Sequence, residues 1–312
     1  MKILVTGAAG FIGFHAAKAL IARGHAVTGL DEVNAYYDPA LKRARLAELG
    51  AFDFRQADIA APGALSGSYD VILHLAAQAG VRHALKAPAD YTRSNLVGHQ
   101  NVLEFARHGG AGHLVYASSS SVYGNDTAAP FSEGARADKP VSYYGATKRA
   151  NELMSYSYAS LFGLAQTGLR FFTVYGPWGR PDMAYWLFTD AILRGRPIPV
   201  FGEGKLRRDF TYIDDIVDAL VRIVETPHAG ETHRLYNLGN HKPETVNDLI
   251  AIIERATGRA AKLDYQDGPP GDVIETYADI TRAARDFGFA PRVPLAEGIP
   301  RFVDWFRRYH AL

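Results

Sequence analysis

The first 175 residues of this 312-residue chain alternate between short apolar runs and longer segments whose apolar positions have helical spacing. The runs that predict strands are Lys2–Thr6, Ala26–Leu30, Phe52–Ala57, Asp70–Leu75, Gly112–Ser118 and Ala165–Phe172. The segments that predict helices are residues 11–21, Pro39–Leu49, Pro88–His108 and Tyr143–Phe162. Such alternation is typical of an α/β protein with a doubly wound parallel sheet.

From Gly176 onward this regular alternation is lost. Several prolines interrupt the pattern here, namely Pro177, Pro181, Pro197 and Pro199. Prolines break helices and central strands, so this region has a different organisation from the first part. We predict a dinucleotide-binding domain over residues 1–175 and a smaller mixed α/β substrate-binding lobe over residues 176–312. Some later segments are expected to return to the sheet of the first domain.

Composition excludes several classes of protein. A net charge of +1 argues against a nucleic-acid-binding protein, which normally carries a clustered basic excess. Because the chain has no cysteine, it has neither disulfides nor cysteine nucleophiles, and the spacing of its eleven histidines predicts no metal site. No apolar stretch reaches the length of about 18 residues that spans a membrane, and no signal peptide is apparent. A cytoplasmic protein without nucleic-acid or membrane partners is expected.

A glycine-rich turn follows the first predicted strand at once. Gly7 and Gly10 lie between this strand and the first predicted helix, and Gly13 lies in the first turn of that helix. Glycines allow a tight turn there and let the backbone approach a pyrophosphate, which then lies at the helix N-terminus. Asp31 ends the second strand, where a carboxylate suits the 2′-hydroxyl of a ribose and repels a 2′-phosphate. This arrangement predicts a site for NAD rather than NADP.

Tyr144 and Lys148 suggest proton transfer. They are four residues apart in a predicted helix and therefore share one face. A free tyrosine has a pKa of about 10, and a neighbouring ammonium group would lower it, which would make the tyrosine a usable base. A serine from the run 118–121 could hold the substrate oxygen whose proton is moved.

These motifs together resemble the extended short-chain dehydrogenase/reductase family, over nearly the whole chain. The resemblance implies that Tyr144 is the catalytic base, that Lys148 lowers its pKa and binds the nicotinamide ribose, and that Ser119 orients the substrate hydroxyl. It also implies a set of cofactor-binding residues. These are Gly7, Gly10, Phe11, Ile12, Gly13, Asp31, Asp58, Ile59, Leu75, Ala76, Ala77, Gln78, Tyr144 and Lys148.

The residues after Ser119 bear on the type of reaction. Related sugar-nucleotide 4,6-dehydratases carry Asp-Glu at the two following positions, and UDP-glucuronate decarboxylases carry a glutamate at the second. Here both positions are serines, Ser120 and Ser121. A site without an acid and a base at these positions is unsuited to eliminating water. The resemblance therefore implies an isomerase that oxidises a sugar at C4 and returns the hydride to its other face.

The segment from Arg170 to Ala184 resembles the signature of bacterial UDP-glucuronate 4-epimerases. The predicted activity is therefore the NAD-dependent interconversion of UDP-glucuronate and UDP-galacturonate. The resemblance assigns the substrate carboxylate to Ser120, Ser121, Thr173 and Arg180. It places Val200 and Phe201 beside the uracil, Arg208 at the diphosphate and Asp272 near the ribose or the lobe interface. It also implies a homodimer.

Three alternatives remain. A UDP-glucuronate decarboxylase is disfavoured by Ser121, and a UDP-glucose/UDP-galactose-type 4-epimerase is disfavoured by Thr173 and Arg180. An NAD-binding sensor protein is the alternative that is not an enzyme. Such a protein would be expected to lose Tyr144 or Lys148, and the chain has both.

Overall fold

The computed structural model describes residues 1–109, 111–268 and 275–312. Its strands are β1 (Lys2–Thr6), β2 (Ala26–Asp31), β3 (Asp53–Gln56), β4 (Val71–His74), β5 (His113–Ser119), β6 (Gln166–Phe171), β7 (Thr173–Tyr175), β8 (Pro197–Phe201), β9 (Arg207–Tyr212), β10 (His233–Leu238), β11 (Pro243–Thr245) and β12 (Lys262–Gln266). Its helices are α1 (Phe11–Ala22), α2 (Pro39–Glu48), α3 (Pro88–Tyr91), α4 (Gly98–Gly109), α5 (Tyr143–Phe162), α6 (Ala184–Leu193), α7 (Ile213–Glu225), α8 (Val246–Thr257), α9 (Thr281–Phe287) and α10 (Leu295–His310).

Within the described residues, a seven-stranded sheet has the order β3-β2-β1-β4-β5-β6-β10, and all its neighbouring strands are parallel. Alternate residues of β1 belong to opposite faces. Ile3 and Val5 pack in one hydrophobic cluster with α1, and Leu4 packs in the other with α4. A strand that is buried on both faces is apolar along its buried centre, as β1 is from Ile3 to Val5. The predicted Rossmann-like, doubly wound α/β fold is confirmed.

The strand order reverses at β1. The chain runs outward from β1 to β2 and β3, and then continues on the other side of β1 with β4. Ligands of open α/β sheets bind beyond the carboxyl ends of the strands at such a reversal. The loops that follow β1 and β4 therefore lie where a ligand is expected.

The second part of the chain contributes to both halves of the molecule. β10 pairs with β6 at the edge of the main sheet, whereas β7, β9 and β11 form a three-stranded sheet and β8 pairs with β12. Trp186 of α6 packs against Phe302 and Phe306 of α10, with ring centroids 5.9 and 5.1 Å apart. The domain boundary at residue 175 stays a prediction.

The predicted helix over Pro88–His108 is divided in the structure. A π-helical segment, Thr92–Val97, separates α3 from α4. The wider turn accompanies a contact of the buried Asn95 side chain, which accepts a hydrogen bond from the Gln78 N–H (2.8 Å) and donates one to the Gln78 carbonyl (3.1 Å). A continuous apolar period in the sequence does not reveal this irregularity, because the side chain that uses it is polar.

Candidate active site

A cavity of about 1170 Å³ lies beyond the carboxyl ends of β1, β2, β4 and β5. Gly7 and Leu75, which follow β1 and β4, line one side of it. Thr173, Arg180 and Phe201 line the side contributed by the later part of the chain. The cavity therefore lies at the reversal of strand order and between the two regions predicted to bind cofactor and substrate.

At two glycines of the glycine-rich turn, the backbone lies too close to its neighbours to leave room for a side chain. Gly7 has φ +75°, and a Cβ there would lie 2.7 Å from the Ala76 nitrogen. A Cβ at Gly13 would lie 2.0 Å from the Gly7 carbonyl oxygen. The N-terminus of α1 thus opens onto the cavity as a backbone cradle, which fits the pyrophosphate of a dinucleotide. The residues of this turn that line the cavity are Gly7, Gly10, Phe11, Ile12 and Gly13.

Asp31 is buried at the end of β2, and both of its carboxylate oxygens are anchored. One accepts a hydrogen bond from the Ala9 N–H (3.1 Å), and the other accepts one from the Val33 N–H (2.8 Å). The carboxylate also lines the cavity, where its remaining lone pairs can accept hydrogen bonds from ribose hydroxyls. A 2′-phosphate would meet its negative charge, so these residues fit NAD.

Two further loops complete the predicted cofactor side of the cavity. The Asp58 carboxylate accepts a hydrogen bond from the Ala60 N–H (2.9 Å) and pairs with Arg93. The loop after β4 is held at one end by a bond from the Leu75 N–H to the Thr6 carbonyl (3.0 Å). The lining residues from these two loops include Asp58, Ile59, Leu75, Ala76, Ala77 and Gln78. The structure thus brings the predicted cofactor-binding residues together around one cavity.

Tyr144 and Lys148 lie one helical turn apart at the start of α5. The helix begins directly after Ser142, whose hydroxyl accepts a hydrogen bond from the Gly145 N–H (3.0 Å). Serine is a favoured N-cap residue because it supplies an acceptor for an otherwise unpaired backbone donor. The Lys148 ammonium group is buried and donates to the Ala117 carbonyl on β5 (2.9 Å). Both side chains line the cavity.

Ser119 ends β5 beside this helix. Its hydroxyl accepts a hydrogen bond from the Ser121 N–H (3.1 Å) and also interacts with the Tyr144 phenol. A Cβ at Gly145 would lie 2.5 Å from the Ser121 carbonyl oxygen, so a glycine at this position lets α5 approach the loop after β5. The predicted catalytic Ser119, Tyr144 and Lys148 therefore share one corner of the cavity.

The electrostatics of this corner differ from the expectation. Burial raises the pKa of Tyr144 above its ordinary value, while the positive charge of Arg180 and the hydrogen bond with Ser119 partly lower it. Burial also lowers the pKa of Lys148 to about 8. The expected lowering of the Tyr144 pKa by Lys148 is wrong for the chain's own groups, because burial is the larger effect and the cation that acts on the phenol is Arg180.

Arg180 forms an ion pair that the sequence did not predict. Its Nε and Nη2 atoms donate to the two carboxylate oxygens of Asp182, at 3.0 and 2.5 Å. The Tyr36 hydroxyl donates to the same carboxylate (3.0 Å). Burial opposes the charge of Asp182, but Arg180 outweighs this effect and holds the pKa of Asp182 below its ordinary value. Within the described part of the chain, Nη1 of Arg180 makes no hydrogen bond, so this edge of the guanidinium remains for a ligand.

Three hydroxyl groups share the cavity with Arg180. Ser120 and Ser121 belong to a short 3₁₀ turn after β5, and Thr173 begins β7. All three line the cavity. The structure therefore brings together the four residues predicted to hold a carboxylate, although they come from three separate segments. Their role as a carboxylate site stays a proposal.

The predicted uracil end is only partly as expected. Phe201 and Arg208 line the cavity, and the guanidinium of Arg82 lies 4.9 Å from the Phe201 ring centroid. Val200 is fully buried in the hydrophobic core, because side chains alternate along β8 and its neighbours Pro199 and Phe201 face the other way. The Val200 side chain therefore packs in the core, and the placement of residues 199–201 beside the uracil stays a prediction. Asp272 lies outside the described residues.

Two other features bear on function. Among residues 1–109, 111–268 and 275–312, no group of three or more His, Asp or Glu side chains could hold a metal ion. Buried histidines are used in packing: His74 is hydrogen-bonded to the Thr6 hydroxyl (2.7 Å) and stacks on His99. In the same described ranges, no helix has both the length and the apolar character needed to cross a membrane.

The sequence missed Asp182 and Tyr36 as site residues. Asp182 lies two residues after Arg180, which is close enough for its carboxylate to reach the Arg180 guanidinium. The sequence therefore contained a local indication of this ion pair. Tyr36 is 146 residues from Asp182 in the chain, and only the tertiary structure joins them. Gly80 makes room for this contact, since a Cβ there would lie 2.4 Å from the Tyr36 hydroxyl.

The motifs and the geometry agree with a comparison to known families. The sequence model of the NAD dependent epimerase/dehydratase family matches residues 3–239, which include the glycine-rich turn, Ser119, Tyr144 and Lys148. The chain belongs to this family. Membership confirms the resemblance predicted from the motifs and accounts for a cradle that fits NAD. It leaves open which reaction of the family the chain performs.

Individual members of the family are similar over their whole length. The chain is 45% identical to protein CapI of Staphylococcus aureus and 43% identical to a probable UDP-glucuronate 4-epimerase of Rhizobium meliloti, with 99% of each chain covered in both cases. Among solved structures, it is similar to UDP-glucuronic acid 4-epimerase from Bacillus cereus, in complex with UDP-glucuronic acid and NAD. That similarity has a TM-score of 0.91 and 34% identity, and it covers 99% of this chain and 100% of the other.

Proposed function

We propose that this protein is an NAD-dependent 4-epimerase that interconverts UDP-glucuronate and UDP-galacturonate through a transient 4-keto sugar. The observation that carries the proposal is the arrangement of Arg180 and three hydroxyl groups in the same cavity as Tyr144. Arg180 and the three hydroxyl groups suit a sugar carboxylate, and Tyr144 suits the oxidation of a sugar hydroxyl. The similarity to proteins named UDP-glucuronate 4-epimerase supports the same substrate.

The redox step uses the corner formed by Ser119, Tyr144 and Lys148. Tyr144, as the phenolate, takes the proton of the C4 hydroxyl while the hydrogen bonded to C4 leaves as hydride, and Ser119 holds the C4 oxygen. NAD supplies the hydride acceptor and, in the reverse direction, the donor. One N–H of the Lys148 ammonium group donates to the Ala117 carbonyl, and its other two N–H groups can donate to the ribose hydroxyls of the cofactor. The raised pKa of Tyr144 makes its phenolate a stronger acceptor of the C4 hydroxyl proton.

The carboxylate requires its own restraint. Oxidation at C4 makes the substrate a β-keto acid, which loses carbon dioxide when the bond to the carboxylate aligns with the ketone. Asp182 occupies the Nε–Nη2 edge of Arg180 and leaves the Nη1 edge for the substrate. A guanidinium fixed in this way, with Ser120, Ser121 and Thr173, can hold the carboxylate away from that alignment. The hydride can then return before decarboxylation.

Three alternatives predict other outcomes. A UDP-glucuronate decarboxylase would release a UDP-pentose, but Ser121 stands where the family resemblance implies a glutamate in those enzymes. A 4-epimerase of neutral UDP-sugars would not need Arg180 in its cavity. An NAD-binding sensor would bind the cofactor without turnover, although its catalytic groups are assembled around the cavity.

A single assay tests the proposal. The protein is incubated with UDP-glucuronate and NAD, and the sugar protons are followed by NMR. We expect UDP-galacturonate to accumulate to a near-equilibrium mixture. Appearance of a UDP-pentose as the main product would show a decarboxylase, and absence of any turnover would favour the sensor. Turnover of UDP-glucose but not of UDP-glucuronate would show an epimerase of neutral sugars.

We also propose that two copies associate through the outer face of α5. Leu153, Tyr156 and Leu161 are exposed there by 55, 63 and 69%. An apolar patch on one helix can be covered by the same helix of a second copy, in a symmetric homodimer. The cytoplasmic location expected from the sequence stays a prediction.

A further inference from the structure

Arg45 of α2 has a fully buried side chain whose hydrogen-bond acceptors are neutral. Nη1 donates to the Ala9 carbonyl (2.9 Å) and to the Tyr37 hydroxyl (2.7 Å). Nε donates to the Trp178 carbonyl (3.1 Å), and Nη2 donates to the carbonyls of Trp178 (2.7 Å) and Gly179 (2.8 Å). Burying a cation is unfavourable unless hydrogen bonds replace its water, and these five bonds do so.

The bonds of Arg45 join two functional loops. Ala9 lies in the glycine-rich turn of the cofactor cradle, while Trp178 and Gly179 directly precede Arg180. Trp178 has φ +61°, a left-handed conformation that a non-glycine residue adopts only where its surroundings hold it. Gly179 has no room for a side chain, since a Cβ there would lie 2.0 Å from the Tyr185 hydroxyl. The backbone before Arg180 is therefore constrained, and Arg45 is its main polar anchor.

Other contacts hold the same segment. His15 of α1 donates from Nε2 to the Pro177 carbonyl (2.9 Å), and the Phe14 ring packs on Trp178 with centroids 5.6 Å apart. The Arg180 N–H donates to the Tyr185 hydroxyl (3.1 Å). The path of residues 177–180 is thus set by α1 and α2, which belong to the cofactor half of the molecule, together with Tyr185 of α6.

We propose that Arg45 is a positioning residue: by binding the carbonyls of Trp178 and Gly179, it presents the Arg180 guanidinium to the substrate carboxylate. This inference rests on the proposed function, which supplies that carboxylate. Because the Arg45 guanidinium also donates to the Ala9 carbonyl, it fixes the position of Arg180 relative to the cofactor cradle. The carboxylate is then held at a defined place with respect to the atoms that exchange hydride.

The hold on the loop is tested without substrate, by hydrogen–deuterium exchange of the intact protein with NAD. Arg45→Met removes the five bonds, and we expect the amides of residues 178–180 to exchange about tenfold faster. Arg307→Met is the matched control, because Arg307 also donates to a backbone carbonyl, that of Thr257, but far from the cavity. Equal exchange of residues 178–180 in the wild type and Arg45→Met would overturn the proposal.

The effect on recognition is tested by binding in the Tyr144→Phe background, which removes turnover. We expect Arg45→Met to weaken UDP-glucuronate binding about tenfold, which corresponds to about 1.4 kcal/mol, and to change UDP binding less than twofold. Arg180→Met should weaken UDP-glucuronate binding at least as much. The double variant should lose little more than Arg180→Met alone, because Arg45 acts through Arg180. Additive losses, or equal losses for UDP, would indicate a merely structural role and overturn the proposal.

Arg45→Lys keeps the test decisive if Arg45→Met does not fold. A lysine retains the charge but cannot reach all four acceptors, so a smaller loss with the same preference for UDP-glucuronate over UDP is expected. Unchanged UDP-glucuronate binding in a folded Arg45→Lys protein would overturn the proposal. If the protein with Arg45 intact binds UDP-glucuronate no more tightly than UDP, the proposed function is at fault, and the exchange experiment still decides whether Arg45 holds the loop.

Discussion

At the scale of single residues, burial acts on Tyr144 and Lys148 in opposite directions. It raises the pKa of the phenol and lowers that of the ammonium group to about 8, because a charged form loses hydration in both cases. The positive charge of Arg180 lowers the pKa of Tyr144, and the negative charge of its partner Asp182 raises it by a smaller amount. Burial of the Lys148 charge at the proposed proton-transfer site therefore lowers the stability of the folded chain.

Replacing Lys148 with methionine should stabilise the protein at neutral pH while abolishing turnover. Below pH 8 the lysine is charged in both the folded and the unfolded chain, so the full cost of burying the charge is present. Between pH 8 and the unfolded pKa of 10.5, only the folded chain loses the proton, and this cost disappears as the pH rises. We expect a gain of about 2 kcal/mol in the free energy of unfolding at pH 7, allowing for the lost bond to the Ala117 carbonyl.

Urea unfolding at pH 7 and at pH 10, without added nucleotide, measures this effect. Lys18→Met is the control, since Lys18 is exposed and forms a long ion pair with Glu48. Its effect should stay within about 0.5 kcal/mol at both pH values. A gain for Lys148→Met that is equal at the two pH values would contradict burial of charge as its cause.

Arg180→Ala should weaken binding of UDP-glucuronate and release a UDP-pentose. Loss of charge-assisted hydrogen bonds predicts an increase in KM of about tenfold or more, and loss of the restraint on the carboxylate predicts decarboxylation of the 4-keto sugar. Product ratios by NMR and initial rates check both effects. Arg194→Ala serves as a control, because Arg194 is an exposed arginine of the same region and pairs with Asp190. Unchanged KM and product ratio in Arg180→Ala would rule out the assigned role.

At the scale of secondary structure, the start of α5 determines where the proposed catalytic side chains Tyr144 and Lys148 lie. The Ser142 cap, the close approach of Gly145 to Ser121 and the bond from Lys148 to Ala117 all join α5 to β5. The bounds Tyr143–Phe162 agree with those predicted from the sequence, since cap and periodicity are local signals. The π-helical segment at Thr92–Val97 was not predicted, because it depends on the contact between Asn95 and Gln78.

Ser142→Ala should destabilise the protein by about 1 kcal/mol, since the Gly145 N–H loses its acceptor. The loss is measured by urea unfolding, and kcat should fall as well, because Tyr144 lies in the first turn of the helix. Ser160→Ala removes an exposed hydroxyl near the other end of α5 and should change neither stability nor kcat appreciably. Equal effects of the two substitutions would contradict a capping role for Ser142.

At the scale of the whole molecule, the cavity forms where two regions of the chain meet. The loops of the parallel sheet supply the cofactor cradle and the catalytic corner, and residues from 173 onward supply the opposite wall. Arg45 and Tyr36 cross between these regions through their contacts with Gly179 and Asp182. Recognition of the sugar thus depends on elements that the cofactor half also holds in place.

Leu153→Glu should convert a dimer into a monomer. A carboxylate at the centre of the proposed interface would be buried without a partner, which is strongly unfavourable. Light scattering coupled to gel filtration measures the mass, with Leu263→Glu as a control on the exposed strand β12, where Leu263 is 42% exposed. A wild-type protein that is monomeric, or a Leu153→Glu protein that remains dimeric, would contradict this interface.

The sequence by itself determined the fold class, the cofactor cradle and the catalytic motif, because each depends on local spacing: apolar periodicity, glycines at a turn, and two side chains on one helical face. Only the tertiary structure decided the state of those groups. Burial sets the pKa of Tyr144, the alternation of β8 turns Val200 into the core, and Asp182 takes one edge of Arg180. Charge, solvation and long-range contacts depend on which distant segments meet, and no local pattern contains that information.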